Sequence, residues 1–275
     1  MNIILVGASG YLGNKLLIDM KNKGNKILCP IRKTTDINKI NQYTNLYLYL
    51  EDNDFIEKLN DFKADLLIYC ACMYERNNAK HKDILEANFL LPLKLLTELK
   101  NLKKYIYIGT SLGKYTNIYA LSKYQMAEWG KYYSNINDIN FFNILLENFY
   151  GENEPKNRFI HYLIGKLKNN EDIDLTDGKQ KRDFVYIEDV IEALNLIISS
   201  NLKGYIDIPI GSGDAISIRE LAEYLKKLLN SKSKLNFGAI PSRNNEHSGI
   251  CDLSILNNMG FKPKYDIKSG LNRII

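Results

Sequence analysis

A glycine-rich turn directly after the first apolar stretch is the feature that most restricts how this chain can fold. Ile3–Val6 has the composition of a buried strand, and the turn Gly7-Ala-Ser-Gly10-Tyr-Leu-Gly13 follows it and opens an amphipathic segment, Tyr11–Lys23. At such a place Gly7 permits a tight turn, Gly10 lets the backbone approach a pyrophosphate, and Gly13 lets the helix pack on the strand. Because the turn lies between a strand and a helix, it predicts a dinucleotide-binding βαβ unit.

Apolar strands and amphipathic helices alternate through the first half of the chain. The predicted strands after the first are Lys26–Ile31, Leu46–Leu50, Asp65–Ala71, Tyr105–Gly109 and Phe141–Glu147, and helices are predicted over His81–Leu99 and around Tyr119. This alternation predicts an α/β fold with a Rossmann-type, doubly wound parallel sheet. After about residue 150 the elements become shorter, which predicts a smaller C-terminal α/β substrate lobe. We expect a cofactor-binding domain at 1–148, with a return contribution near 182–200, and a lobe at 149–275.

Composition and charge narrow the class of protein. The net charge of +5 is spread along the 275 residues without a basic stripe, so we expect no nucleic-acid partner. Apolar runs stay well short of membrane-spanning length, and the first strand begins directly after Met1, which leaves no room for a signal peptide. The four cysteines contain no Cys-x-x-Cys pair and the three histidines are far apart in sequence, so we expect no metal site. These features favour a cytoplasmic protein without membrane contact.

Tyr119 and Lys123 carry the strongest chemical signal. Residues four apart share one helix face, and a phenol beside an ammonium group is expected to have a lowered pKa. Thr110 ends the fifth strand, where catalytic groups of parallel sheets lie, and its hydroxyl can bind a carbonyl oxygen that Tyr119 protonates. Ser111 is an alternative for that hydroxyl. In a chain with 19 tyrosines the tyrosine–lysine spacing can also arise by chance, so its weight depends on the glycine turn and on Thr110.

The end of the second strand bears on the cofactor. Arg32 and Lys33 follow Cys29-Pro30-Ile31, with no acidic residue where the strand ends. Basic side chains there suit the 2′-phosphate of NADP(H), whereas an acid would hold the ribose hydroxyls of NAD(H). We expect NADP(H), with NAD(H) possible and two solvated basic residues as the plain alternative.

Together these residues resemble the extended short-chain dehydrogenase/reductases that act on nucleotide sugars, the NAD-dependent epimerase/dehydratase family. The likeness includes the glycine turn, the Thr110/Tyr119/Lys123 set, Glu147-Asn148-Phe-Tyr-Gly151 and Arg182-Asp-Phe-Val-Tyr186. It implies catalytic roles for Thr110, Tyr119 and Lys123. The cofactor-binding residues it implies are Gly7, Ser9, Gly10, Tyr11, Leu12, Gly13, Arg32, Lys33, Glu51, Cys70, Ala71, Asn88, Tyr119 and Lys123. The substrate-binding residues it implies are Met73, Tyr74, Ser111, Asn148, Arg182 and Arg243, the two arginines on the diphosphate.

Within that family, Cys70-Ala-Cys-Met-Tyr74, the compact interval between Gly109 and Tyr119, and Arg243-Asn-Asn-Glu246 resemble the 4-ketoreductases of CDP-linked 3,6-dideoxyhexoses, the paratose and abequose branch. Dehydratases of the family carry an acidic pair after the catalytic hydroxyl, but Ser111-Leu-Gly113 follows Thr110, so we expect no water elimination. The expected activity is NADPH-dependent reduction of the 4-keto group of a CDP- or dTDP-linked deoxysugar, for lipopolysaccharide or another surface polysaccharide. A nucleotide-sugar 4-epimerase with tightly bound NAD is the alternative, and a non-enzymatic nucleotide sensor is a third reading.

The resemblance also implies a homodimer that forms through the helices after the fourth and fifth strands. Leu85, Phe89, Leu93 and Met126 are candidate contacts, although packing in the core explains them equally well.

Overall fold

The computed structural model describes residues 1–75, 78–242 and 249–275. Its strands are β1 (Asn2–Val6), β2 (Lys26–Ile31), β3 (Tyr47–Tyr49), β4 (Leu66–Tyr69), β5 (Lys104–Ile108), β6 (Asn140–Leu146), β7 (Asn148–Tyr150), β8 (Ile173–Leu175), β9 (Lys181–Tyr186), β10 (Tyr205–Ile210), β11 (Ala215–Ser217) and β12 (Leu235–Phe237). Its helices are α1 (Tyr11–Asn22), α2 (Phe55–Asp61), α3 (His81–Leu85), α4 (Leu91–Glu98), α5 (Ile118–Ile136), α6 (Phe159–Lys168), α7 (Ile187–Ser199), α8 (Ile218–Leu228), α9 (Ser254–Asn258) and α10 (Ile267–Ile274). A π-helical turn, Glu86–Leu90, joins α3 to α4.

Seven strands form a parallel central sheet in the order β10-β6-β5-β4-β1-β2-β3. The chain moves outward from β1 to β3 on one side and then returns to build β4, β5, β6 and β10 on the other. The order therefore reverses between β1 and β4, which are paired with Val6 opposite Tyr69. Open α/β sheets bind ligands at the carboxyl ends of the strands beside such a reversal. The predicted α/β class with a parallel sheet is confirmed.

Contacts divide the chain into two compact units. The first contains Met1–Thr110, Lys114–Leu145 and Ile197–Ile208, and the second contains Ser111–Gly113, Leu146–Leu196 and Pro209–Ile275. From the sequence we expect the chain to divide at residue 148 into a part that binds the cofactor and a part that binds the substrate. That assignment of functions to the two parts stays a prediction.

The central strands of the first unit are buried at successive positions, so their side chains fill the core on both faces of the sheet. Tyr69, Tyr105, Tyr107 and Phe141 are fully buried there, and the rings of Tyr105 and Phe141 stack with centroids 5.1 Å apart. The buried tyrosine hydroxyls find backbone acceptors: Tyr69 donates to Ala87 and Tyr105 to Pro92. Each hydroxyl ties a strand to the α3–α4 segment, because a buried polar group must be hydrogen-bonded.

Within the described ranges, no helix has both the length and the apolar character needed to cross a membrane.

Candidate active site

The glycine turn closes tightly against the end of β4. Gly7 has φ of +89°, and a Cβ there would lie 2.5 Å from the backbone nitrogen of Ala71. A Cβ on Gly13 would lie 2.1 Å from the Gly7 carbonyl oxygen, so only glycine lets α1 approach β1 this closely. Gly10 precedes α1 without a side-chain cap, and the first turn of α1 has no acidic side chain. This bare N-terminal end of a helix fits the pyrophosphate of a dinucleotide, because the helix dipole favours an anion there.

Acidic groups lie closer to the end of β2 than the sequence predicts. The backbone N–H of Lys33 donates to both carboxylate oxygens of Glu51, at 3.3 and 3.1 Å. The Lys33 ammonium pairs with Asp52 at 3.4 Å. The segment Cys29–Lys33 itself has no acidic residue, but pairing of β2 with β3 brings Glu51 and Asp52, which follow β3, to this position. Arg32 is exposed beside them.

Lys123 joins α5 to the end of β5. Its Nζ donates to the Ile108 carbonyl oxygen at 2.8 Å, two residues before Thr110, and lies 4.5 Å from the centroid of the Tyr107 ring. The side chain is 1% exposed. Burial lowers the pKa of Lys123 to about 8, and the nearby Cys72 and Cys70 thiols oppose that shift.

Tyr119 lies one turn before Lys123 and is 7% exposed. Its ring stacks on Tyr74, with centroids 4.6 Å apart. The expected lowering of the Tyr119 pKa by Lys123 is not found: burial, followed by the neighbouring Tyr74, raises the pKa well above its ordinary value. A buried phenol loses the water that would stabilise its anion, and here that loss prevails. Tyr119 is therefore protonated at neutral pH, which is the form that a proton donor needs.

Asn88 holds the segment between β4 and α3 in place. Its Oδ1 accepts from the Met73 N–H and its Nδ2 donates to the Met73 carbonyl, both at 2.9 Å. The same Nδ2 donates to Ser122 on α5 at 3.2 Å. Met73 is thus fixed through its backbone, one residue before the Tyr74 ring that covers Tyr119. A cofactor contact from Asn88 stays a prediction.

In the second unit, three residues that we predicted to bind substrate lie near the carboxyl group of Glu147. They are Ser111, Asn148 and Arg182. Glu147 follows β6, is 8% exposed, and is hydrogen-bonded to the Ser111 hydroxyl. Burial raises the pKa of Glu147 to about 7; the Ser111 hydrogen bond lowers it, Asp183 raises it and the Arg182 guanidinium lowers it. Asn148 lies beside them, its Nδ2 directed at the Asp183 carbonyl at 3.5 Å.

Asp183 is the fixed part of this cluster. It is fully buried, and its carboxylate accepts from the Ser212 N–H and hydroxyl, both at 2.7 Å, from the Gly213 N–H at 3.0 Å and from the Cys251 N–H at 3.2 Å. Because these four donors come from Ser212, Gly213 and Cys251, Asp183 organises the loop after β10.

Two comparisons bear on the family. The model of the NAD dependent epimerase/dehydratase family matches residues 3–211. CDP-abequose synthase of Salmonella muenchen is 32% identical, over 99% of this chain and 96% of that protein. The chain belongs to the NAD dependent epimerase/dehydratase family.

Other relatives show the breadth of this epimerase/dehydratase family. The dTDP-4-dehydro-6-deoxyglucose reductase of Escherichia coli is 24% identical, over 99% of this chain and 96% of its own. The UDP-glucuronic acid 4-epimerase of Bacillus cereus, crystallised with UDP-glucuronic acid and NAD, superposes with a TM-score of 0.84 at 21% identity, covering 99% of this chain and 97% of that one. The family, the predicted branch of relatives and the Rossmann-type fold are confirmed, and the chain is a nucleotide-sugar-modifying enzyme of the oxidoreductase/epimerase type.

The residues predicted from the family resemblance divide between the two units, and one of them lies outside the described residues. The glycine turn, Ala71, Asn88, Tyr119 and Lys123 lie in the first unit, while Ser111, Asn148 and Arg182 lie in the second. Arg243 lies outside the described residues. Among the described residues no group of three or more His, Cys, Asp or Glu side chains could hold a metal ion.

Glu147 is the functional candidate that sequence reasoning missed. The sequence shows it as the one acid that ends the apolar run Phe141–Leu146, a position where charge is unexpected. Its interaction with Ser111 places a carboxyl group next to one of the two candidate hydroxyl residues, whereas the acidic pair of the family's dehydratases is absent after Thr110.

Proposed function

We propose that the protein reduces the 4-keto group of a nucleotide-activated deoxysugar, CDP- or dTDP-linked, with NADPH as the reductant. The observation that carries the proposal concerns Tyr119. It is a buried, protonated phenol one helical turn from Lys123, a buried lysine that is hydrogen-bonded to the end of β5. The likeness to CDP-abequose synthase and to dTDP-4-dehydro-6-deoxyglucose reductase supports this reaction class. A product of this kind suits lipopolysaccharide synthesis, in the cytoplasm where nucleotide sugars are made.

In this reaction each catalytic side chain has one task. When bound, the reduced nicotinamide supplies a hydride to the carbonyl carbon. Tyr119 gives its phenolic proton to the carbonyl oxygen, so that one ketone, one hydride and one proton give one alcohol. Lys123 provides a positive charge beside the Tyr119 oxygen as the phenolate forms, and Thr110 donates a hydrogen bond to the developing oxyanion. Arg182, with Arg243, binds the diphosphate, which a guanidinium fork suits.

Arg32 carries the preference for NADP(H). The Lys33 ammonium is already paired with Asp52, and its backbone N–H donates to Glu51, so we expect the Arg32 guanidinium to bind a 2′-phosphate. We expect Arg32→Ala to lower kcat/KM for NADPH at least tenfold, with kcat/KM for NADH little changed, and Lys33→Ala to have a smaller effect. A wild-type preference for NADH would contradict this and would instead give Glu51 the role of binding the ribose hydroxyls.

A 4-epimerase is the second candidate, favoured by two observations. Glu51 lies where a ribose-binding acid is expected, and the superposed Bacillus cereus enzyme is a 4-epimerase that binds NAD. An epimerase returns the hydride to the same sugar and keeps its cofactor through the cycle, whereas a reductase consumes one cofactor in each turnover.

Isotope transfer separates the two activities. The pure protein is incubated with NADPH deuterated at C4 and either CDP-4-keto-3,6-dideoxyglucose or dTDP-4-keto-6-deoxyglucose. We expect loss of the reduced-nicotinamide absorbance and deuterium at C4 of the sugar product, seen by NMR, with Tyr119→Phe inactive but still able to bind cofactor. Turnover of UDP-glucose without added cofactor, and no reduction of either keto sugar, would replace the reductase with the epimerase.

We also propose that the protein works as a homodimer. Trp129, Tyr132 and Ile136 follow one another along one face of α5 and are 42%, 54% and 57% exposed. Large apolar groups on one helix face are a surface that a second copy of the chain can cover. Met126, a predicted contact, is fully buried and belongs to the core.

A further inference from the structure

Arg158 makes three contacts at once where the chain leaves β7 and enters α6. Its Nη2 donates to the Phe149 carbonyl oxygen at 3.0 Å, and its Cζ lies 4.0 Å from the centroid of the Phe149 ring. Its Nε lies 2.6 Å from Oε1 of Glu154. A guanidinium group is planar and presents its donors in a rigid fork, so these contacts fix Arg158 and Phe149 relative to each other.

Glu154 holds Arg158 from the turn that follows β7. The Glu154 side chain is 1% exposed, and a carboxylate buried so deeply needs a charged partner, which Arg158 provides. Among the described residues, Oε2 of Glu154 has no hydrogen-bond partner, so the carboxylate is held through Oε1. His161 of α6 donates through Nε2 to the Gly151 carbonyl at 3.0 Å. The start of α6 is therefore tied to the chain at Phe149 and again at Gly151.

β7 needs such support because it is a short edge strand. It has three residues, lies at one edge of the sheet β11-β9-β7 and pairs with β9. Its first residue, Asn148, is exposed and lies opposite Phe184, two residues after Arg182. Asn148 and Arg182 are both predicted to bind the substrate. The position of Asn148 therefore depends on how firmly the next residue, Phe149, is held.

We propose that Arg158 and Glu154 are positioning residues for substrate binding. The Glu154 carboxylate orients the Arg158 guanidinium, and Arg158 fixes Phe149 so that Asn148 stays in place to bind the sugar nucleotide. This inference rests on the proposed reductase function and adds to it two residues that act on substrate affinity through a third. Because the pair holds a binding residue and no catalytic side chain, it stabilises the bound substrate and the transition state equally, which lowers KM and leaves kcat unchanged.

Steady-state kinetics of Arg158→Lys test the proposal, with saturating NADPH and the keto sugars named above. Lysine keeps the positive charge but lacks the planar fork, so it cannot hold Glu154 and Phe149 together. We expect KM for the sugar nucleotide to rise about tenfold, because Asn148 is then free to move, while kcat stays within about twofold and KM for NADPH is unchanged. Burial raises the pKa of Glu154 to about 7, so the assay is run at pH 8, where the carboxylate is charged.

Arg219→Lys is the matched control, because Arg219 makes the same kinds of contact elsewhere in the second unit. Its Cζ lies 3.7 Å from the centroid of the Phe237 ring, its Nη2 donates to the Asp177 carbonyl at 3.0 Å, and Glu223, four residues further on, lies 3.8 Å away. We expect both lysine variants to lower Tm, but only Arg158→Lys to raise KM. An equal rise of KM in both variants, or a lower Tm of Arg158→Lys with an unchanged KM, overturns the inference, since the contacts would then only stabilise the fold.

Glu154→Gln tests whether the two residues act as a pair. Glutamine keeps the size of the side chain and an oxygen that accepts from Arg158, but it carries no charge, so we expect KM to rise less, by about threefold. The double variant with Arg158→Lys is expected to be no worse than Arg158→Lys alone, because the fork that Glu154 orients is already lost. A double variant whose KM rises by the product of the two single effects would show that Glu154 does not act through Arg158, and overturns the proposal.

Failure of the proposed function gives a different result, since the wild-type protein then reduces neither keto sugar. Calorimetric titration with CDP and with dTDP tests the positioning by itself. A dissociation constant about tenfold higher in Arg158→Lys than in the wild type and in Arg219→Lys supports the inference. Equal dissociation constants in all three proteins, or no binding to the wild type, overturn it.

Discussion

Lys123 is buried, and burial lowers the pKa of its ammonium group to about 8. The sign of the pH effect follows: the charged form is present below pH 8 and is lost as the pH rises through 8. We expect kcat/KM for reduction to fall on the alkaline side of pH 8, because Tyr119 then loses the cation that stabilises its phenolate. A profile of kcat/KM from pH 6 to 10 measures this. Residual activity of Lys123→Met should lack the inflection, and an inflection that persists there assigns it to another group.

The role of a residue could be predicted from the sequence only where it depends on residues that are close in sequence. Tyr119 and Lys123 are four residues apart on one helix, so their shared face follows from helix geometry. The direction in which the Tyr119 pKa shifts does not follow from helix geometry, because the burial of Tyr119 under Tyr74 and the sheet depends on residues distant in sequence. The same holds for Glu147, whose partner Ser111 comes from another part of the chain. Local spacing predicts which groups act, and packing decides their protonation state.

At the level of elements, the C-terminal end of α7 is closed by a lysine from a distant strand. Lys104 of β5 donates to the carbonyls of Ile198 at 2.7 Å and Ser200 at 3.0 Å. The last carbonyls of a helix have no partner within it, and a cation there is favourable. We expect Lys104→Met to lower the free energy of unfolding by about 1–2 kcal/mol. Urea unfolding followed by circular dichroism measures it, and the exposed neighbour Lys103→Met is the control; equal effects at both positions would contradict the cap.

Helix caps show which elements the sequence predicts and which it does not. Ser217 begins α8 with a capping box to Glu220, and the Ser-x-x-Glu spacing is visible in the sequence. The contact of Lys104 with the end of α7 could not be predicted from the sequence, because it joins residues that are distant in sequence. The longer strands were predicted to within a residue or two, as for β2, β5 and β6. The short strands β7, β9 and β11 were missed as strands, because three to six residues carry little periodicity and their pairing is set by the tertiary fold.

For the whole molecule, parallel strands could be predicted from apolar runs, but the surface that is left uncovered could not, because it depends on how α5 packs. The exposed face Trp129, Tyr132 and Ile136 is the test of the proposed dimer. We expect sedimentation velocity at micromolar concentration to give a dimer, and Trp129→Glu to give a folded monomer, because a carboxylate buried between two apolar faces has no partner. Tyr115→Glu is the matched control, since Tyr115 is 83% exposed and lies outside the helix. A wild-type monomer, or a dimer that survives Trp129→Glu, would show that this face is not the interface.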